Sequence, residues 1–75
     1  MKTVRDIFAE ALALKVQGVS TAEIKEQIIQ MGEDNGLAVT EQRTEEAGRP
    51  ITFGLHFSNG EVISFDGTDW HHNRK

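Results

Sequence analysis

"ITFGLHFSNGEVISFDG", residues 51–67, is the stretch whose reading decides the fold. Its first eight residues alternate strictly, with Ile51, Phe53, Leu55 and Phe57 on one side and Thr52, Gly54, His56 and Ser58 on the other. A period of two marks a strand with one buried face. Asn59-Gly60 is a turn signal, and "EVISF" follows it, so the segment reads as a β-hairpin. Its register follows from the apolar pattern. A two-residue turn at Asn59-Gly60 pairs Phe57 with Val62 and splits the apolar side chains between two faces. A three-residue loop, Ser58-Asn59-Gly60 with Gly60 left-handed, pairs Leu55 with Ile63 and Phe53 with Phe65. All the large groups then share a face, so the second register is expected. Val62 points outward in it, beside His56, Gly54 and Ser64.

Before the hairpin, "LAVTEQRTEE" (residues 37–46) alternates weakly and reads as a first strand, followed by a turn cluster, "AGRP". The N-terminal half has a different period. Thr3 is an expected N-cap with Asp6 three residues on, and Val4, Ile7, Phe8, Ala11, Leu12 and Leu14 recur at helical spacing up to Gly18. Ser20 and Glu23 then form a Ser-x-x-Glu capping box, with Val19 and Ile24 as its hydrophobic staple. Ile24, Ile28 and Met31 line one face of this second helix. It stops at Gly32 or at Gly36. The later stop is expected, because Leu37 then folds back on Met31 in a Schellman contact.

The order of elements predicts an α+β fold: two N-terminal helices packed on one face of a three-stranded antiparallel β-meander, ααβββ. Residues 1–75 form a single small domain, with 71–75 expected as a frayed tail. Seventy-five residues are close to the lower limit for an independent core. There is no cysteine to brace the core or bind a metal. Arg5, Asp6, Glu10 and Lys15 interrupt the apolar residues of the N-terminus, which excludes a signal-peptide core and a membrane span there. A cytoplasmic protein with no membrane partner is expected.

"KVQGVSTAEIKEQI", residues 15–28, resembles the first two helices of a DNA-binding helix-turn-helix. The resemblance implies a recognition helix and cations that meet phosphate. The next stretch, "GEDNGLAVTEQR", is acidic and then strand-like. The formal charge is −4, with four basic and six acidic residues in each of 1–36 and 37–75. No basic patch stands out, so DNA reading is not expected.

The remaining candidates are few. His56, His71 and His72 with Asp66 and Asp69 are the residue types of a metal site, but adjacent histidines do not share a face in regular structure, so no metal and no cofactor is expected. Ser20 is committed as a cap, and Ser58 and Ser64 have no evident base, so no catalytic residue is assigned. Trp70, the only tryptophan, either closes the open end of the core or anchors a partner. By elimination, the chain is expected to be a non-catalytic protein-interaction or regulatory domain that associates with a protein partner or with itself. The expected contact is the third strand, a free edge without internal charge, with Val62, Ser64, His56 and Trp70 at or near it. A nucleic-acid-associated regulator using the helix pair of residues 4–35 is the alternative, and a small metal-dependent enzyme is the third.

Overall fold

The computed structural model describes residues 1–44, 46–48 and 51–73. Helix α1 spans Val4–Val16 and α2 spans Thr21–Asp34. Strands β1 (Val39–Thr44), β2 (Thr52–Phe57), β3 (Val62–Phe65) and β4 (Trp70–Asn73) follow. The strands form one antiparallel sheet in sequential order, and both helices cover the same face of it. The α+β class and the helices-then-sheet order agree with the sequence reading. The strand count does not, since there are four strands and not three.

Each helix is held at both ends by groups that the sequence places there. At α1 the Asp6 amide donates to Thr3 Oγ1 at 3.2 Å, and the Thr3 amide donates to Asp6 Oδ2 at 3.0 Å, a reciprocal capping box. At α2 the Glu23 amide donates to Ser20 Oγ at 3.3 Å. The later stop of α2 is the one observed. Asn35 is the C-cap, Gly36 has φ +78°, and the Leu37 amide reaches the Gly32 carbonyl at 2.9 Å. That is the six-to-one bond of a Schellman motif, and its left-handed residue favours glycine.

The hairpin adopts the expected register. Leu55 faces Ile63, Phe53 faces Phe65, and His56 faces Val62. The Gly60 amide donates to the Phe57 carbonyl at 2.9 Å, and the Phe57 amide donates to the Glu61 carbonyl at 2.9 Å. Gly60 itself has φ +93°, so the three-residue loop closes through a left-handed glycine. The Ala47–Pro50 turn cluster lies partly outside the described residues, as does Glu45.

The core is the single layer between helices and sheet. Val4, Ile7 and Ala11 of α1 and Ile24 and Ile28 of α2 meet Phe53, Leu55, Phe57, Ile63 and Trp70. Leu12 was expected in the stripe but is 39 % exposed, because the stripe is narrower than the periodic positions suggest. Ile51 has the inward parity of β2 yet is 42 % exposed, since it lies before the first residue of that strand.

Two expectations about the C-terminus are corrected, and the two readings of Trp70 are decided. Residues 71–73 are not a frayed tail but part of β4, paired to β3 through Val62↔Asn73, Ile63↔His72, Ser64↔His71 and Phe65↔Trp70. Residues 74 and 75 lie outside the described residues. The third strand is therefore not an edge, because β4 occupies its hydrogen-bonding groups. The edges are β1 and β4. Trp70 closes the core, the first of its two readings, and is not the exposed rim residue that would anchor a partner. It is 5 % exposed and belongs to the core.

The cause is the turn between β3 and β4. Asp66 Oδ1 accepts from the Thr68 amide at 2.8 Å and the Asp69 amide at 2.7 Å, and the Asp66 amide donates to the Asp69 carbonyl at 3.1 Å. This aspartate-anchored turn reverses the chain and returns Trp70 to the sheet. Lys15 of α1 fastens it from outside, with Nζ 3.0 Å from Asp69 Oδ1 and 3.2 Å from the Thr68 carbonyl.

Candidate functional site: the outward face of the sheet

The pairing registers divide the strand residues into two faces. Every residue opposite Phe53 or Leu55 points toward the helices. Those opposite Gly54 or His56 point away from them. The outward set consists of threonine, serine, glutamine, asparagine, histidine, Gly54 and Val62. No Asp, Glu, Lys or Arg is among the outward strand positions. In a chain that is 27 % charged, that is a distinctive surface composition.

At the centre of this face the structure brings together three of the four residues expected to bind a partner. His56 and Val62 are opposite one another, and Ser64 is opposite Gly54. His56 and Val62 lean over the glycine. A Cβ built on Gly54 would lie 3.2 Å from His56 Nε2 and 3.6 Å from Val62 Cγ1. The lack of a side chain at Gly54 leaves a shallow open hollow of about 410 Å³, walled by those residues and by Gln42 and Thr44 of β1. The fourth expected residue, Trp70, lies on the opposite face. Its ring packs against Phe53 at 5.4 Å and Phe65 at 5.0 Å.

The two C-terminal histidines separate as adjacent strand residues must. His71 points outward, with Nε2 2.8 Å from Asp66 Oδ2. His72 points inward. Its side chain is 8 % exposed, its Nε2 is 2.9 Å from Glu61 Oε1, and its ring lies 5.5 Å from that of Phe8. Asp66 is held well below the usual aspartate pKa by the Asp69 amide, by His71 and by the Thr68 amide, all of which favour the carboxylate. Among the described residues no group of three His, Asp or Glu side chains is arranged to hold a metal ion. No helix among them is long and apolar enough to cross a membrane.

The sequence reading missed a second concavity, at the end of the core beside the first turn of α2. It measures about 380 Å³ and is floored by Phe53 and Phe65, with Lys25 and Ile51 at its walls. Its one sequence signal is the small pair Thr21-Ala22 above two aromatic strand residues, and that signal depends on knowing which helix end lies over which row of the sheet.

No protein-family model, curated protein or solved structure matches the chain.

Proposed function

We propose that this protein is a non-catalytic protein-interaction domain that docks a protein partner, a second copy of itself included, through the outward face of its sheet. The observation that carries this reading is the absence of Asp, Glu, Lys and Arg from the outward strand positions of that face. A partner seated over the strand positions desolvates no Asp, Glu, Lys or Arg there and meets a carboxylate only at the Asp66 rim of the hollow, and desolvation of charge is the costliest step in forming an interface. Two copies of a chain with net charge −4 meet there with the least repulsion. Val62 supplies an apolar point beside the hollow at Gly54, and His56 and Ser64 supply hydrogen-bonding groups around it. We further propose a cytoplasmic location. A cysteine-free chain has no disulfide to gain from an oxidising compartment.

Ion pairing tells against the nucleic-acid alternative. Lys2 pairs with Glu10 at 2.7 Å, Lys15 with Asp69 at 3.0 Å, and Lys25 with Glu41 at 3.4 Å. Each of these three cations, Lys2 just before α1 and Lys15 and Lys25 within the helices, is already matched by a carboxylate, and phosphate would have to displace it. The test compares wild type with Val62→Lys as immobilised bait and in light scattering. The variant is expected to lose the partner or the self-association while keeping its circular dichroism spectrum. Equal capture and equal association by a folded Val62→Lys would overturn the reading.

A further inference from the structure

We propose that β4 and the adjoining flank of α1 form a dimer interface, on which a second copy of this chain adds its own β4 in the antiparallel sense and extends the sheet. The contact is at the edge of the sheet and does not rest on the reading of the outward face.

The hydrogen-bond phase shows which backbone groups are open. The Asp66 amide donates to the Asp69 carbonyl, so these residues are a hydrogen-bonded pair of the β3–β4 ladder. Such pairs recur at every second residue. His71 and Asn73 therefore bond to Ser64 and Val62 of β3. The amides and carbonyls of Trp70 and His72 point the other way, to the free edge. The other edge strand, β1, carries Glu41 and Arg43, charges that resist strand addition. β4 contains no Asp, Glu, Lys or Arg.

The flank of α1 adds an apolar shelf beside that edge. The Phe8 ring lies 5.5 Å from that of His72, and Lys15 reaches the Thr68 carbonyl and Asp69. Leu12 shares their side of the helix, and Val16 follows one turn later. Leu12 is 39 % exposed and Val16 88 % exposed. A further strand with a helix above it would cover both.

A second copy meets both features in register. A two-fold axis through His71, perpendicular to the sheet, sets Trp70 opposite His72 of the second copy. The Trp70 amide then donates to the carbonyl of that His72, whose amide donates to the Trp70 carbonyl, and the symmetry repeats both bonds. Inward residues stay inward, so the two helix layers join on one face. Within one copy α1 lies over β4 and α2 over β1, two helices across four strands. Continuing that layer places the two α1 helices about 10 Å apart, two strand spacings, which is the distance of packed helices. They run antiparallel, and a seam centred on Leu12 sets Phe8 opposite Val16 of the second copy. His71 meets its twin on the outward side. The Asp66 carboxylate 2.8 Å from each ring offsets the charge of a protonated imidazole.

The interface is small, so a dimer half-formed at about 100 μM is expected. The experiment follows the full chain by sedimentation equilibrium and by backbone-amide hydrogen exchange from about 10 μM to about 1 mM. Exchange at Trp70 and His72 should slow about fivefold over that range as the mass rises toward a dimer. Leu12→Glu should weaken the dimer about tenfold and Val16→Glu about threefold, with circular dichroism unchanged. If Leu12→Glu unfolds, Val16→Glu decides, because Val16 is outside the core. Val62→Lys, on the outward face, should leave the slowed exchange in place, so failure of this contact and failure of the outward-face reading are told apart. A monomer at the highest concentration, a dimer whose Trp70 and His72 amides exchange as the monomer's do, or full association by the folded helix variants would each overturn the proposal.

Discussion

Trp70 meets the ring of Phe53 edge-on, with centroids 5.4 Å apart and planes at 74°. The pair joins β4 to β2 across β3, and Phe65 fills the angle between them at 5.0 Å from Trp70. The quadrupoles of aromatic rings favour this arrangement, and the burial of the indole adds to it. Truncation of Trp70 to alanine should cost about 3–5 kcal/mol. A core of this size supplies roughly as much in total. The variant is therefore expected to be largely unfolded, whereas Trp70→Phe should retain a cooperative transition at lower urea concentration. Urea denaturation followed by circular dichroism checks both, and a fully folded Trp70→Ala would show that β4 contributes little.

The hairpin register was legible in residues 51–67 because only one register puts Phe53, Leu55, Ile63 and Phe65 on a common face. The end of α2 was legible because Gly36 and Leu37 complete a local motif. The fourth strand was not read. Its four residues, Trp70–Asn73, carry one large apolar group, so no period of two emerges. The missed signal was upstream, in Asp66-Gly67, a pair suited to a tight turn. The outward placement of His56, Val62 and Ser64 follows from the register and was legible, as was the third strand itself. It was read wrongly as an edge, because β4 had been taken for a tail. The cleft at Phe53 and Phe65 depends on which helix end overlies which row, and no local pattern encodes that.

The buried glycine of α2 gives a second test. A Cβ at Gly32 would lie 2.7 Å from Val39 Cγ2 and 3.0 Å from Phe57 Cε1. Alanine normally improves a helix by up to about 1 kcal/mol over glycine. Here the helix must move off β1 and β2, and overpacking of this kind costs about 1–3 kcal/mol. Gly32→Ala is therefore expected to destabilise the fold by about 1 kcal/mol net. A gain in stability would show that α2 packs less closely than the contact implies.

Acid should act on the β3–β4 turn through Asp66. Its carboxylate accepts two backbone amides and lies beside His71, so its folded pKa is lower than the ordinary 3.8. A lowered folded value means that the charged form stabilises the fold. That contribution is complete above the unfolded value and is lost as pH falls from there through the folded value. Carboxyl carbon shifts followed by NMR should show Asp66 titrating well below the ordinary aspartate range. Asp66→Asn should lose less stability than wild type between neutral pH and acid. A wild-type midpoint near 3.8 would mean that the turn does not hold the carboxylate as described.

Zinc should leave the protein unchanged. His71 and His72 face opposite sides of the sheet and already lie against Asp66 and Glu61, respectively. A metal would need to bring both rings round one point, which breaks β4. Thermal melting with and without equimolar zinc should coincide. A reproducible rise of several degrees, abolished by the double change His71→Ala and His72→Ala, would contradict the assignment of those side chains.

Val62 and Ile63 are adjacent in β3 and should respond oppositely to the same substitution. Ile63 is fully buried beneath the helices, whereas Val62 is half-exposed beside Gly54 on the outward face. Lysine at position 63 places an ammonium in a layer whose buried side chains are all apolar among the described residues, and burial of an unpaired charge exceeds what a domain of this size can bear. Ile63→Lys is expected to unfold the chain. At position 62 the ammonium extends into solvent from a strand interior, and the cost to stability should stay below about 1 kcal/mol. The same lysine introduces charge into the uncharged face, so association through that face should weaken. The decisive measurement is the pair of thermal transitions together with light scattering at matched concentration. If both variants unfold, the outward face is not a surface of the folded molecule. If Val62→Lys folds and associates as wild type does, the contact is elsewhere on the chain.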